Sequence, residues 1–189
     1  MKSARGRLYG VKRLLSAPRR AARRKGFGIH SPFAFDFVRR VIAQPCAYYA
    51  YSTIDREAKT THGSRSRSRL LFRVSLYFRP KRIAISGNID DSAKKALISG
   101  CSSAELKANC DADLWIINSE AMMPREELNR CIENGGTAVF THLKGNRDRR
   151  EKVTGIWHDH AHGMLFMGSD TAILVGLKHL PHQRFDVWI

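Results

Sequence analysis

Apolar positions along this chain fall into two rhythms. From Ser31 onward, Phe33, Phe37, Val38, Val41 and Ile42 recur at the three-to-four-residue spacing of a helix face. Ser31 supplies an N-cap oxygen, Pro32 suits the first helical position, and Pro45 follows the end. Tyr48, Tyr49 and Tyr51 form an aromatic cluster before Ile54. Residues 60–69 carry no apolar side chain and read as a loop, after which Leu70, Leu71, Val74 and Tyr77 restore helical spacing as far as Pro80. Beyond residue 82 the rhythm changes to short apolar runs separated by amphipathic ones. Strands are predicted over 82–87, 113–118, 137–142, 164–167, 171–177 and 185–189, and helices over 90–99, 124–134 and 145–157. Gly168-Ser169-Asp170 between two of the runs signals a hairpin.

Strand–helix alternation followed by a hairpin predicts an α/β fold. It is Rossmann-like, with a mainly parallel sheet and an antiparallel C-terminal hairpin, preceded by an N-terminal helical segment. The chain divides into a basic arm (1–28), a helical lead-in (29–80) and the Rossmann-like part (81–189).

Charge changes the picture at one end only. The formal net charge is +16, and ten of the 33 basic residues, but none of the 17 acidic ones, precede Asp36. Such an arm attracts polyanions, RNA or DNA among them, whatever fold follows it. It also has the Arg-rich, acid-free composition of a mitochondrial presequence. If Arg65, Arg67, Arg69, Arg147, Arg149 and Arg150 converge with it, they make a phosphate-tracking surface. No apolar run reaches the roughly 18 residues of a membrane span. Cys46, Cys101, Cys110 and Cys131 form no C-x-x-C pair, so they read as buried free thiols of a cytoplasmic protein.

Three constellations bear on chemistry. His158, His160 and His162 would line one face if their segment were a strand, and there they could hold a metal; the plainer reading is a polar loop, and no metal is assigned. His30-Ser31 is an adjacent pair that helix capping explains without nucleophilic catalysis. The third is the strand–glycine–helix at 82–99. Gly87 sits where a nucleotide-type sheet turns tightly, so that a ligand meets backbone N–H groups and a helix N-terminus. Asp90 and Asp91 there would repel a phosphate and tolerate a cation.

The run Gly26 to Ile42, the Tyr48-Tyr49-Ala50-Tyr51 cluster, and Leu70-Leu71-Phe72-Arg73 through Phe78-Arg79-Pro80-Lys81 resemble the lead-in of a bacterial family of class I S-adenosylmethionine-dependent methyltransferases. Gly176-Leu177-Lys178, Leu180-Pro181 and Gln183 to Phe185 resemble that family's ending. The resemblance implies S-adenosylmethionine as cofactor and a methyl acceptor it does not name. By the same token Ser86, Gly87, Asn88 and Asp90 would line the cofactor loop, and Asn118 with Glu120 would face the acceptor side. Glu105 is the one candidate acid for the ribose hydroxyls, and His30 faces the cofactor site.

Against the family's pattern, Ile85 replaces an acid, Asp91 a second glycine, and Asn118 an aspartate. The short stretch between Gly87 and Asp113 leaves out one or two strand–helix units. Charge-assisted hydrogen bonds are about twice as strong as neutral ones, so these losses weaken the hold on the cofactor. The expectation is a methyltransferase-like protein with reduced or lost activity, a pseudoenzyme candidate. The alternatives are a non-catalytic methyltransferase-fold binding protein and a basic nucleic-acid-associated module.

Overall fold

The computed structural model describes residues 29–107, 111–118 and 124–189. The basic arm lies outside them. Helix α1 (Pro32–Phe37) starts as its sequence dictates, with Ser31 accepting the Ala34 N–H and Pro32 in the first turn. It runs into a π-helical turn, Val38–Ile42, whose wider winding turns Val38, Val41 and Ile42 inward together. Helix α2 (Ala50–Thr60) grows from the tyrosine cluster. Tyr48, Tyr51 and Phe72 meet edge to face there, while Tyr49 is fully exposed.

The loop expected over 60–69 is only a short turn. Helix α3 (Arg65–Phe78) begins inside it, because Ser64 caps it by accepting the Arg67 N–H. A serine followed by arginines, all tolerant of a helix, outweighed the missing apolar stripe.

Strands β1 (Arg82–Ser86), β2 (Glu105–Lys107), β3 (Leu114–Ile117), β4 (Thr137–Phe140), β5 (Met164–Met167), β6 (Ala172–Val175) and β7 (Gln183–Asp186) form one sheet ordered β2-β1-β3-β4-β6-β5-β7. All pairs are parallel except those of β6 with β4 and β5. The antiparallel hairpin is thus β5–β6, with β7 added parallel to β5. Helix α4 (Asp91–Gly100) follows β1, α5 (Arg125–Glu133) precedes β4, and α6 (Arg147–His158) follows β4. In the short middle the chain makes a single three-residue edge strand, β2, and no helix lies between β2 and β3 among the described residues.

Alternation along the strands sends side chains to two cores, making three layers. Ile83, Leu114, Ile116, Val139, Phe166 and Ile173 face α1, α3 and α4 through Phe37, Leu71 and Leu97. Trp115, Ile117, Phe140, Leu165 and Leu174 face α5 and α6 through Leu128, Ile132, Val153 and Trp157. The lead-in therefore shares an apolar cluster with the sheet. Of the cysteines, Cys131 is buried, with its thiol pushed up to about 12 by that burial. The expectation of buried thiols fails at Cys46, which is exposed, because it follows Pro45 on the surface turn between the π-helical turn and α2.

Candidate functional site

The chain leaves β1 toward β2 on one side, then returns to build β3 and β4 on the other. The order reverses between β1 and β3, and α/β sheets hold ligands outside the carboxyl ends of strands at such a point. A cleft of about 290 Å³ opens there, near the lower bound of the roughly 300–1,000 Å³ typical of small-molecule sites. Leu71, Ile89, Ala93 and Ile116 give it an apolar floor. Its polar rim comes from the α2–α3 turn (Thr61 to Ser64), from Arg67 of α3, from Asp90, and from the exits of β3 (Asn118) and β4 (Thr141 and His142).

Most rim groups are held by the protein itself. Gly87 turns the chain out of β1 with φ +87°, a conformation that costs glycine little. Asp90 is the N-cap of α4 and accepts the Ala93 N–H at 2.9 Å and the Ser92 hydroxyl. Ser92 in turn meets Ser68 of α3 at 2.8 Å. Gly63 presses against this network: a Cβ there would lie 2.8 Å from Asp90 Oδ1. The Asn118 amide donates to the Asn88 carbonyl, and the Asn118 N–H to Ser86 O at 3.0 Å, tying β3 to the turn after β1.

Beneath the rim, the buried Arg149 guanidinium donates to Thr141 O (3.2 Å), Ile117 O (3.0 Å) and Asn118 O (2.5 Å), which clips the ends of β3 and β4 together. Burial lowers its pKa. Arg67 donates to Asp170 at 2.9 Å, joining α3 to the β5–β6 turn. Burial alone would raise the Asp170 carboxyl. Arg67 and the Lys144 N–H outweigh that and hold it below the ordinary carboxylate value. His62 and His142 both line the cleft with left-handed backbones (φ 53° and 56°), which non-glycine residues adopt at a cost and which cluster at binding sites.

Of the residues expected from sequence, Asp90 and Asn118 line the cleft, while Ser86, Gly87 and Asn88 form the turn behind them. Glu105 does not join them. It opens β2 opposite Arg82, at the amino end of the parallel strands, and pairs there with Lys107 at 2.6 Å. His30 is exposed and absent from the cleft lining, and Glu120 lies outside the described residues. His62, Arg67, Thr141 and His142 were not expected at the site. Thr141-His142 directly after a core strand was the legible signal, since that is where such sheets place ligand contacts.

The histidine constellation comes apart. His158 ends α6 and lies against the Trp157 ring, His160 is buried, and His162 meets Gly176 O at 3.0 Å, so the three share no strand face. Arg67 and Arg150 both reach the β5–β6 turn, while the arm that the arginines were expected to join lies outside the described residues. Arg69 pairs with Asp55, Arg147 with Glu151, and Arg150 binds the carbonyls of Gly168 and Ser169.

His160 carries a pH prediction. Its Nε2 is buried without a hydrogen-bond partner. Burial lowers its pKa from 6.5, with His162 and His182 acting in the same direction and Glu133 and Asp159 against it. The unfolded chain therefore takes up a proton below about pH 6.5 that the folded chain resists, and stability falls as pH drops through that range. His160→Gln is expected to flatten the decline in melting temperature between pH 7.5 and 5.5. An unchanged slope would assign the decline to other groups.

No family model matches the chain, and no curated protein matches it. Among solved structures it is similar to a methyltransferase from Geobacter sulfurreducens, with a TM-score of 0.52 at 12% identity over 71% of this chain and 91% of that one. The chain has a methyltransferase-like fold. At that identity the likeness extends to the fold, not to the chemistry carried on it.

Proposed function

We propose that this chain is an S-adenosylmethionine-dependent methyltransferase-like protein that keeps the cleft as a ligand site but has reduced or lost transfer activity. One observation carries the reading. The only carboxylate in the described lining, Asp90, accepts both the Ala93 N–H and the Ser92 hydroxyl on Oδ1 as the cap of α4, which leaves at most its Oδ2 for a ligand. An S-adenosylmethionine ribose diol and amino group both favour carboxylates, because charge-assisted bonds are the strong ones. The described residues offer one carboxylate oxygen to an amino group and two hydroxyls, which leaves two of the three without a charged acceptor, so they fit this cofactor poorly. Asn118, with its amide tied to Asn88, does not replace one.

Two such bonds lost, at roughly 1.5–3 kcal/mol each, weaken binding by about two to four orders of magnitude. Calorimetric titration with S-adenosylmethionine and S-adenosylhomocysteine is expected to give dissociation constants of about 100 μM or weaker, that is, micromolar binding reduced by at least the smaller of those factors. Micromolar binding of either compound would refute the reduced-activity reading and call for an acceptor screen.

A further inference from the structure

The geometry points to an oxyanion site in this cleft: His62, Arg67 and His142 receive a carboxylate or phosphate group of the natural ligand. The inference rests on the cleft being a ligand site and not on the identity of the cofactor.

The charges at the cleft are unequally committed. Asp90 has its negative charge compensated by the amino end of α4 and by hydrogen bonds from the Ala93 N–H and the Ser92 hydroxyl. Asp170 is compensated by Arg67 and the Lys144 N–H. Both acids therefore have protein donors, Asp90 through Oδ1 and Asp170 through both oxygens. Arg67 is permanently charged and has five N–H groups in a fixed fork. The ion pair uses one terminal nitrogen, while its Nε is buried without an acceptor. A buried N–H left unpaired is destabilising, and an oxygen drawn against the guanidinium would give it an acceptor.

The first turn of α3, where Arg65 and Arg67 stand, has no acidic residue, so positive side chains meet the positive end of the helix dipole. Two imidazoles stand at the lips, on the α2–α3 turn and at the exit of β4, each held in a left-handed backbone conformation. Three nitrogen-bearing side chains from three separate segments thus surround an apolar floor. That is the arrangement for a small ligand with an apolar body and an anionic end.

The test follows the histidine ring signals of the full chain in proton–carbon correlation spectra. Sodium phosphate, sodium acetate and sodium chloride are added at matched ionic strength. His62 and His142 are expected to shift saturably with phosphate or acetate and not with chloride. Which anion acts at lower concentration separates a phosphate ligand from a carboxylate one. His160, His162 and His182 precede β5 and β7 at the opposite end of the sheet and should stay fixed. Arg67→Gln should weaken the response about tenfold or more, the loss of one charge-assisted bond. His62→Gln, at an exposed position, gives the same reading with the Arg67–Asp170 pair intact.

Shifts no larger than those from chloride, or midpoints unchanged in both variants, would overturn the inference. S-adenosylhomocysteine added to the same sample separates the two readings. Shifts of the His62 or His142 ring that saturate at micromolar S-adenosylhomocysteine, without a phosphate or acetate response, would reject the oxyanion site and the weak-cofactor reading together. An anion response without micromolar S-adenosylhomocysteine binding keeps both.

Discussion

Phe37→Ala is expected to lower the melting temperature by about 6–20 °C while leaving a single cooperative transition, from about 3–5 kcal/mol for a buried Phe→Ala change and about 2–4 °C per kcal/mol at this chain length. Phe37 is fully buried at the end of α1, where it reaches across three segments. Its ring centroid lies 5.8 Å from Phe33, 5.4 Å from Tyr77, 5.6 Å from Phe78 and 4.7 Å from Phe166 of β5. Truncation empties a site lined by α1, α3 and the sheet, and rigid neighbours on three sides cannot collapse into it. Because those neighbours belong to both the lead-in and the sheet, the loss is shared. Two calorimetric transitions, or a drop of only a few degrees, would mean that residues 29–80 pack as a separate unit. Phe37→Leu keeps most of the volume and should recover most of the loss.

How much of this was legible follows from where each signal is stored. β1, β3, β4 and the β5–β6 hairpin were readable because burial on both faces forces unbroken apolar runs, such as Leu114 to Ile117. The Ser31-Pro32 start was readable because capping is local chemistry. Helix α3 was read short, since Arg65 to Arg69 show no apolar stripe and the decisive Ser64 cap looks like any loop serine. β2 was invisible: three exposed residues on a sheet edge need neither apolar character nor alternation. At the site, Gly87, Asp90 and Asn118 were legible because they sit at strand ends and helix starts. Glu105 was misplaced because sequence distance does not say at which end of a strand an acid falls. Arg67 and Asp170 are 103 residues apart, and nothing in either neighbourhood announces the other. His62 and His142 depend on positive backbone angles that only the assembled structure imposes.

Arg149→Met should cost about 3 kcal/mol, or about 6–12 °C in melting temperature, and should loosen the cleft before the rest of the sheet. Two opposing terms set the size. Three hydrogen bonds from a charged donor are worth roughly 1.5–3 kcal/mol each, while burying a guanidinium costs several kcal/mol that methionine does not incur. The hydrogen bonds win because three carbonyls lose a charged donor at once. Ile117 O retains the Thr141 N–H at 3.0 Å, while the carbonyls of Asn118 and Thr141 lose their bonds of 2.5 Å and 3.2 Å to the guanidinium. Arg149→Lys should recover less than half, since one ammonium cannot span the carbonyls of Ile117, Asn118 and Thr141 as a planar fork does. Hydrogen exchange locates the effect. The Asn118 and Thr141 amides, bonded to Ser86 O and Ile117 O, should lose protection ahead of those in the β5–β6 hairpin. Uniform loss across the sheet would make Arg149 a general core residue. Early loss at these two amides would make it the clip that keeps the ligand cleft in shape.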